Sequence, residues 1–375
     1  MRFEYNLFIL RHPPLEIYKS KLTPMRNQIN FLRILILVLL SYAFAGCAFF
    51  AETFTGSKSF TTKETETAKD ANRYFWDNFH QGNYDSIPEI TRRLTLAMSE
   101  NPNDIKVMAH LGFTHVWVVS ERQRIENPSP EVIENLFLAR RYFTEAYTMN
   151  DNDPRILGFM AGMELAEGQT FQNEKLEVQG YFHGLKSISM WPQFNKFTVG
   201  YIFSKLESSN KRYDEGLEWQ WEAVDDCACK DYNHKINYKE MAELIKSSDD
   251  AMIKRACWNS WITPHNFEGF FLNFGDMLVK KGSPETAIKM YKAAKLSDSY
   301  NEWPYKDVLE ERIRDASINI SNFNMPLDEK KLFSQKVIMF NSKMSCAGCH
   351  QMSSSEFVKY GYKEPSSDYY FIEDK

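Results

Sequence analysis

The chain has 375 residues, enough for a sizeable core and for two or more packing units. Its hydrophobic and charged fractions, 43 % and 25 %, are ordinary for a globular protein, and a net charge of -5 gives no basic footprint for nucleic acid. Aromatic residues reach 15 %, which in a helical chain reads as bulky packing between helices.

The first feature in chain order is a targeting segment. Arg26 and Arg33 flank the start of an apolar run over 34–40, which continues through Ser41-Tyr42-Ala43-Phe44 and ends in Ala45-Gly46-Cys47. A basic start, about a dozen apolar residues and small residues before the cut describe a secretory signal peptide, too short to span a bilayer comfortably. Residues 1–46 are therefore set aside as a signal segment. Met25 would begin one of normal length, which places residues 1–24 upstream of the expected start. The ending Ala-Gly-Cys resembles the lipobox of bacterial lipoproteins, with Phe44 where Leu is usual. The resemblance implies a lipid-modified Cys47 holding the protein to a membrane. Ala48 is not the Asp associated with inner-membrane retention, so the same resemblance implies an exported protein facing the periplasm from the outer membrane. Simple signal cleavage nearby, with Cys47 an ordinary residue, is the alternative. Residues 47–71 are rich in Thr, Ser, Lys and Glu, with little apolar periodicity after Phe54, and read as anchor and flexible tether.

From residue 72 to 320 apolar and aromatic residues recur at three- and four-residue spacing, and no run alternates as a strand would. The clearest piece is 267–295. Phe267, Phe270, Phe271, Phe274 and Leu278 form one stripe. Gly282 then supplies a stop, Ser283 an N-cap, Pro284 a first helical residue and Glu285 a charge suited to the helix start. Phe274-Gly275, Gly282, Ala287, Tyr291 and Ala294 resemble a tetratricopeptide repeat, in which small residues let two antiparallel helices approach and large ones fill the gaps. Looser copies stand upstream: Gly82 and Tyr84 at a turn, Leu111-Gly112 with Ala139, Phe143 and Ala146, Leu157-Gly158, then Tyr213 and Gly216. An insertion interrupts the register around 118–130, and Ser129-Pro130-Glu131 reads as the entry to the next helix. The expected class is all-α, a tetratricopeptide-like solenoid, with an irregular bundle as the alternative. The resemblance implies a concave face suited to a peptide or a partner protein.

Within this stretch Cys227, Cys229 and Cys257 remain open in role. In an exported chain a structural disulfide from Cys227 or Cys229 to Cys257 is the first expectation, leaving one thiol unpaired. A soft-metal site of three thiolates with His234 is a second.

The last segment, 321–375, carries the sharpest motif. Leu327 to Met344 shows a helical period through Leu332, Val337, Ile338 and Phe340, and the tail after Met352 reads as an extension. Between them stands Cys346-Ala347-Gly348-Cys349-His350. Two thiols three positions apart reach the two vinyl groups of a haem from one helical turn, and the next imidazole falls under the iron as proximal ligand. One covalent haem c is the expected cofactor. A redox-active disulfide and a zinc site are the alternatives. The motif resembles that of small cytochromes c, but those carry it early in the domain with a distal Met well after it. Here only 25 residues follow His350, with one Met, Met352, too close to reach the opposite face, and no His. A sixth ligand must come from upstream or be absent. His265, His234 and Met325 are candidates, and an aromatic surface at Trp258 and Trp261 would bring His265 within reach. No nucleophile elbow, P-loop or dinucleotide fingerprint is present.

Together these readings point to an exported, lipid-anchored mono-haem protein serving electron transfer or redox sensing, with a redox partner protein or a peptide on the repeat face. Two further functions are compatible with the residues: a protein-binding envelope scaffold whose CxxC is structural, and a peroxidase-like enzyme with five-coordinate haem.

Overall fold

Helices begin where the chain offers a side-chain oxygen to the first free N–H groups. Thr65 receives the N–H of Ala68 and opens α1 (Glu66–His80). Asp104 receives those of Lys106 and Val107 and opens α3 (Ile105–Ser120), and Asp153 does the same for Arg155 and Ile156 at α5 (Pro154–Thr170). Asn173 caps α6 (Glu174–Met190), and Asn210 caps α8 (Lys211–Ala228). These capping bonds are features of a computed structural model that describes residues 61–360, apart from 62, 236, 248–255, 258–266 and 329.

The other helices are α2 (Ile87–Glu100), α4 (Glu134–Met149), α7 (Pro192–Phe203), α9 (Tyr238–Ser247), α10 (Phe267–Lys280), α11 (Pro284–Ala294) and α12 (Lys306–Asn324), followed by the single-turn α13 (Ala347–His350) and α14 (Ser354–Tyr360). No strand occurs among the described residues. Helices pack in successive pairs, α1 on α2, α3 on α4, α5 on α6, α7 on α8 and α10 on α11. First helices also meet one another at three places, α1 with α3, α5 with α7 and α10 with α12. The fold is thus an all-α helical repeat. The first helices α3 and α5 are buried nearly all round, whereas their partners α4 and α6 bury single residues at intervals. This is the division expected when one row of helices lines the interior and the other covers it.

The repeat resemblance has a direct physical basis at its two best-matched glycines. A Cβ on Gly275 would collide with the Tyr291 ring, and one on Gly112 would lie 2.8 Å from the Phe143 ring. In each pair a missing side chain on the first helix admits an aromatic ring from the second. The entries to α3, α5 and α7 repeat as well: Asn101, Asn150 and Trp191 take the same backbone conformation, with φ of -139°, -141° and -149° and ψ of 90°, 82° and 86°. Gly282 stops α10 at φ +90°. Ser283 holds the N-cap position of α11 but makes no capping bond, while Ser129 caps a 3-10 turn, Pro130–Ile133, that leads into α4. α1 begins inside the stretch read as tether, and α12 runs four residues past the expected end of the repeat body.

The segment from Leu327 to Met344 departs from the sequence reading. It is not a helix; its one regular piece is a 3-10 turn, Met339–Asn341. The apolar residues that suggested a helical period, Leu332, Val337 and Ile338, are buried against the repeat array, while Leu327 and Phe333 of the same segment are exposed. Its backbone groups are satisfied by scaffold side chains instead of by its own turns. Arg312 donates to the carbonyl of Val337 at 2.7 Å, and Asp276 accepts from the N–H of Met339 at 2.7 Å. Gln123 donates to the carbonyls of Leu332 and Gln335 and accepts from the N–H of Lys343. Asp276 is itself fully buried on α10, where Tyr291 donates to it at 2.6 Å and Arg312 stands 3.2 Å away. Such bonds replace the helix ladder that an isolated chain would need.

Candidate functional site

The segment delivers Cys346-Ala347-Gly348-Cys349-His350 into the middle of the array. α13 rests on α1 and α10, helices far apart in sequence. Glu121 is the residue that fixes it. This side chain follows the last residue of α3, in the insertion that breaks the repeat register, and is wholly buried. One carboxylate oxygen accepts the N–H groups of Cys346 at 2.9 Å and Ala347 at 2.7 Å; the other accepts the indole N–H of Trp117 at 3.0 Å and Nε of Arg124 at 2.6 Å. A carboxylate at the start of the motif turn meets N–H groups that the turn cannot satisfy itself. Burial pushes the Glu121 carboxyl upward, against the pull of Arg124 and the Ala347 N–H.

Three more residues hold the motif from other sides. Tyr201 on α7 donates to the carbonyl of Ser345 at 2.7 Å. The Trp303 indole donates to the carbonyl of Gly348 at 3.3 Å, and Tyr305 donates to Gln351 at 2.6 Å. The His350 ring lies 4.4 Å from that of Phe79 on α1, centroid to centroid, tilted by 41°.

Cys346, Cys349 and His350 open onto one cavity of about 480 Å³. Its walls are mainly apolar: Phe113 and Val116 of α3, Phe159 and Met163 of α5, Ile202 of α7, and Phe340. Arg122 and Lys205 also line it. Burial, and then the proximity of Arg122, brings the Lys205 ammonium down to about 8, so it is still charged at neutral pH. The volume falls within the range of about 300–1,000 Å³ typical of small-molecule and cofactor sites.

The thiols are free, and burial pushes both well above the ordinary cysteine range. Among the described residues no group of three or more His, Cys, Asp or Glu is gathered as for a bare metal ion. Two free thiols and one imidazole at the cavity are fewer than the four ligands of a structural zinc ion. For haem the fit is direct: two thiols on one turn, an imidazole at its end, an apolar slot, and two cations on the wall that could face the two carboxylates of a porphyrin.

The other residues singled out from sequence fall elsewhere. Cys227 and Cys257 form a disulfide with Cα atoms 5.6 Å apart, and Cys229 is an exposed free thiol. With two of its thiols bonded to each other, the three-thiolate site with His234 is not formed. His234 stacks on Trp221 at 4.6 Å and pairs with Glu218, away from the cavity wall. Met325 ends α12 with 47 % exposure and does not line the cavity. His265, Trp258, Trp261 and Cys47 lie outside the described residues. Sequence reasoning missed Glu121, Tyr201, Trp303, Met163, Arg122 and Lys205. The one available signal was the register break at 118–130, which contains Glu121 and Arg122.

No family model matches the chain, and no curated protein is significantly similar to it.

Proposed function

We propose that the protein is an exported, lipid-anchored c-type haem protein in which a helical-repeat body encloses one covalent haem for electron transfer or redox sensing at the cell envelope. The observation that carries this reading is the opening of Cys346, Cys349 and His350 together onto one apolar cavity that also carries Arg122 and Lys205. Covalently bound haem would supply a one-electron centre there. The residues of the chain have the remaining tasks. Cys346 and Cys349 anchor, and His350 ligates. Glu121 and Tyr201 hold the attachment turn, and the apolar wall excludes water. Anchorage through Cys47, the periplasmic side and the outer membrane belong to the same proposal and rest on the signal segment.

The protein-scaffold reading is less well supported. It needs a free inner face of the repeat array, and the chain's own residues 327–350 run along that face, held by Gln123, Asp276, Arg312 and Tyr201.

The deciding experiment is purification from a haem-c-maturing host. The protein should be red and keep its haem through acid and detergent, and Cys346→Ala with Cys349→Ala should abolish that retention. A colourless protein with both cysteines intact would sink the proposal.

A further inference from the structure

The sixth ligand is where the structure goes beyond the motif, on the premise of the haem reading above. α13 is supported from the side of α1 and α10, with Phe79 against the His350 ring. A different wall of the same cavity is built by α5 and α7. α5 brings Gly158, Phe159, Gly162, Met163, Ala166, Gln169 and Thr170 to the cavity, and Met163 is the one methionine among the described residues of its wall. Met163 is 6 % exposed and sits among apolar neighbours.

Few wall groups can bind a haem iron. The hydroxyls of Ser120, Thr170 and Thr198 and the amides of Gln169 and Asn341 are weak neutral donors, the hydroxyl of Tyr201 is engaged with Ser345, and Glu207 is exposed. The amine of Lys205 lies beyond the end of α7 and serves better as a counter-charge to a porphyrin carboxylate. A thioether is neutral, polarisable and soft, and it is an established axial partner of a haem histidine. The bland role for the same side chain is to fill a core gap. That role does not require its position on the wall of the cavity onto which His350 opens.

We propose that Met163, which lines the same cavity as His350, is the sixth iron ligand. The haem is then six-coordinate and suited to electron transfer, and the five-coordinate, peroxidase-like arrangement is disfavoured.

The test uses full-length holoprotein from a haem-c-maturing host, compared with Met163→Leu, Met163→His and Lys205→Leu by absorption and electron paramagnetic resonance spectroscopy. Leu nearly preserves the volume of Met, so folding should be retained. The wild-type ferric form should be low-spin, with a weak near-infrared sulfur-to-iron charge-transfer band. Met163→Leu should lose that band, turn high-spin, bind carbon monoxide readily when reduced and show a lower reduction potential. Met163→His should return the low-spin state without the band. A high-spin wild type, an unchanged Met163→Leu spectrum, or loss of the low-spin state in Lys205→Leu alone would overturn the assignment. Protein lacking covalent haem would instead overturn the underlying haem reading, and this ligand with it.

Discussion

Glu121 and Ala347 are joined by a 2.7 Å hydrogen bond across 226 positions of sequence, from the backbone N–H of the motif turn to a wholly buried carboxylate. The same oxygen holds the N–H of Cys346, and the other holds Trp117 and Arg124. Replacing Glu121 by Ala leaves four donors without their acceptor, the buried Trp117 and Ala347 among them, although Arg124 is 28 % exposed. Breaking a buried charged pair from one side costs about 3–5 kcal/mol. We expect Glu121→Ala to lower the urea midpoint by that order and to reduce haem incorporation per chain, measured on the pyridine haemochrome. Glu121→Gln retains an acceptor oxygen and should lose less of both. Unchanged incorporation in Glu121→Ala would show that the turn is held without it.

The repeat pairs give a sharper steric prediction. At Gly275 a Cβ meets the Tyr291 ring, and that ring cannot swing away freely because its hydroxyl is bonded to buried Asp276 at 2.6 Å. Overpacking of this kind costs about 1–3 kcal/mol, occasionally more. Gly275→Ala should therefore lower the thermal midpoint measurably. In Gly275→Ala with Tyr291→Phe the steric part should be partly relieved, because the ring is no longer tethered, although Asp276 then loses a donor. Additivity of the two changes would argue against the tether.

Much of the fold was legible because helices announce themselves locally. The stripe of Phe271, Phe274 and Leu278, the stop at Gly282 and the small residue at Gly275 are all statements about neighbours within one repeat, and they hold in three dimensions. The attachment turn was legible for the same reason, since its chemistry is contained in five consecutive residues. The rest of the site was not. Glu121 looks like one acidic residue among 50 Asp and Glu, and nothing within its own sequence window says that it meets Cys346. Met163 sits in a helix that is buried nearly all round, where a methionine is unremarkable. Residues 327–344 misled in the other direction. Leu332 and Val337 to Met339 are buried while Leu327 and Phe333 are exposed, and this irregular burial imitates a helical spacing.

The Cys227–Cys257 disulfide ties the C-terminal end of α8 to a part of the chain 30 residues on. A loop of that length corresponds to about 3–4 kcal/mol in the chain-entropy model. Cys227→Ser with Cys257→Ser should lower stability by up to that amount, with protection from hydrogen exchange falling most in α8 and α9. Haem retention should be unaffected, because the cavity wall includes neither cysteine. Labelling of native protein with a thiol reagent should reach exposed Cys229 first.

Glu268, at the start of α10, sets a pH dependence with a definite sign. It is 2 % exposed, and burial pushes its carboxyl up to about 7, against the pull of a hydrogen bond with Ser297; Glu356 and Asp298 raise it further. Its folded value lies above that of the unfolded chain, near 4.5. Between those two values the folded state binds more protons, so stability is highest below about pH 4.5 for this group and declines as pH rises toward 7. At 1.36 kcal/mol per unit, the loss reaches up to about 3 kcal/mol. Most other carboxylates push the opposite way on acidification, so the contribution is isolated by comparison with Glu268→Gln. The difference in unfolding free energy between Gln and Glu should grow between pH 4.5 and 7 in favour of Gln, then level off. A difference that stays flat across that window would mean that Glu268 is ionised throughout, and that the Ser297 hydrogen bond outweighs its burial.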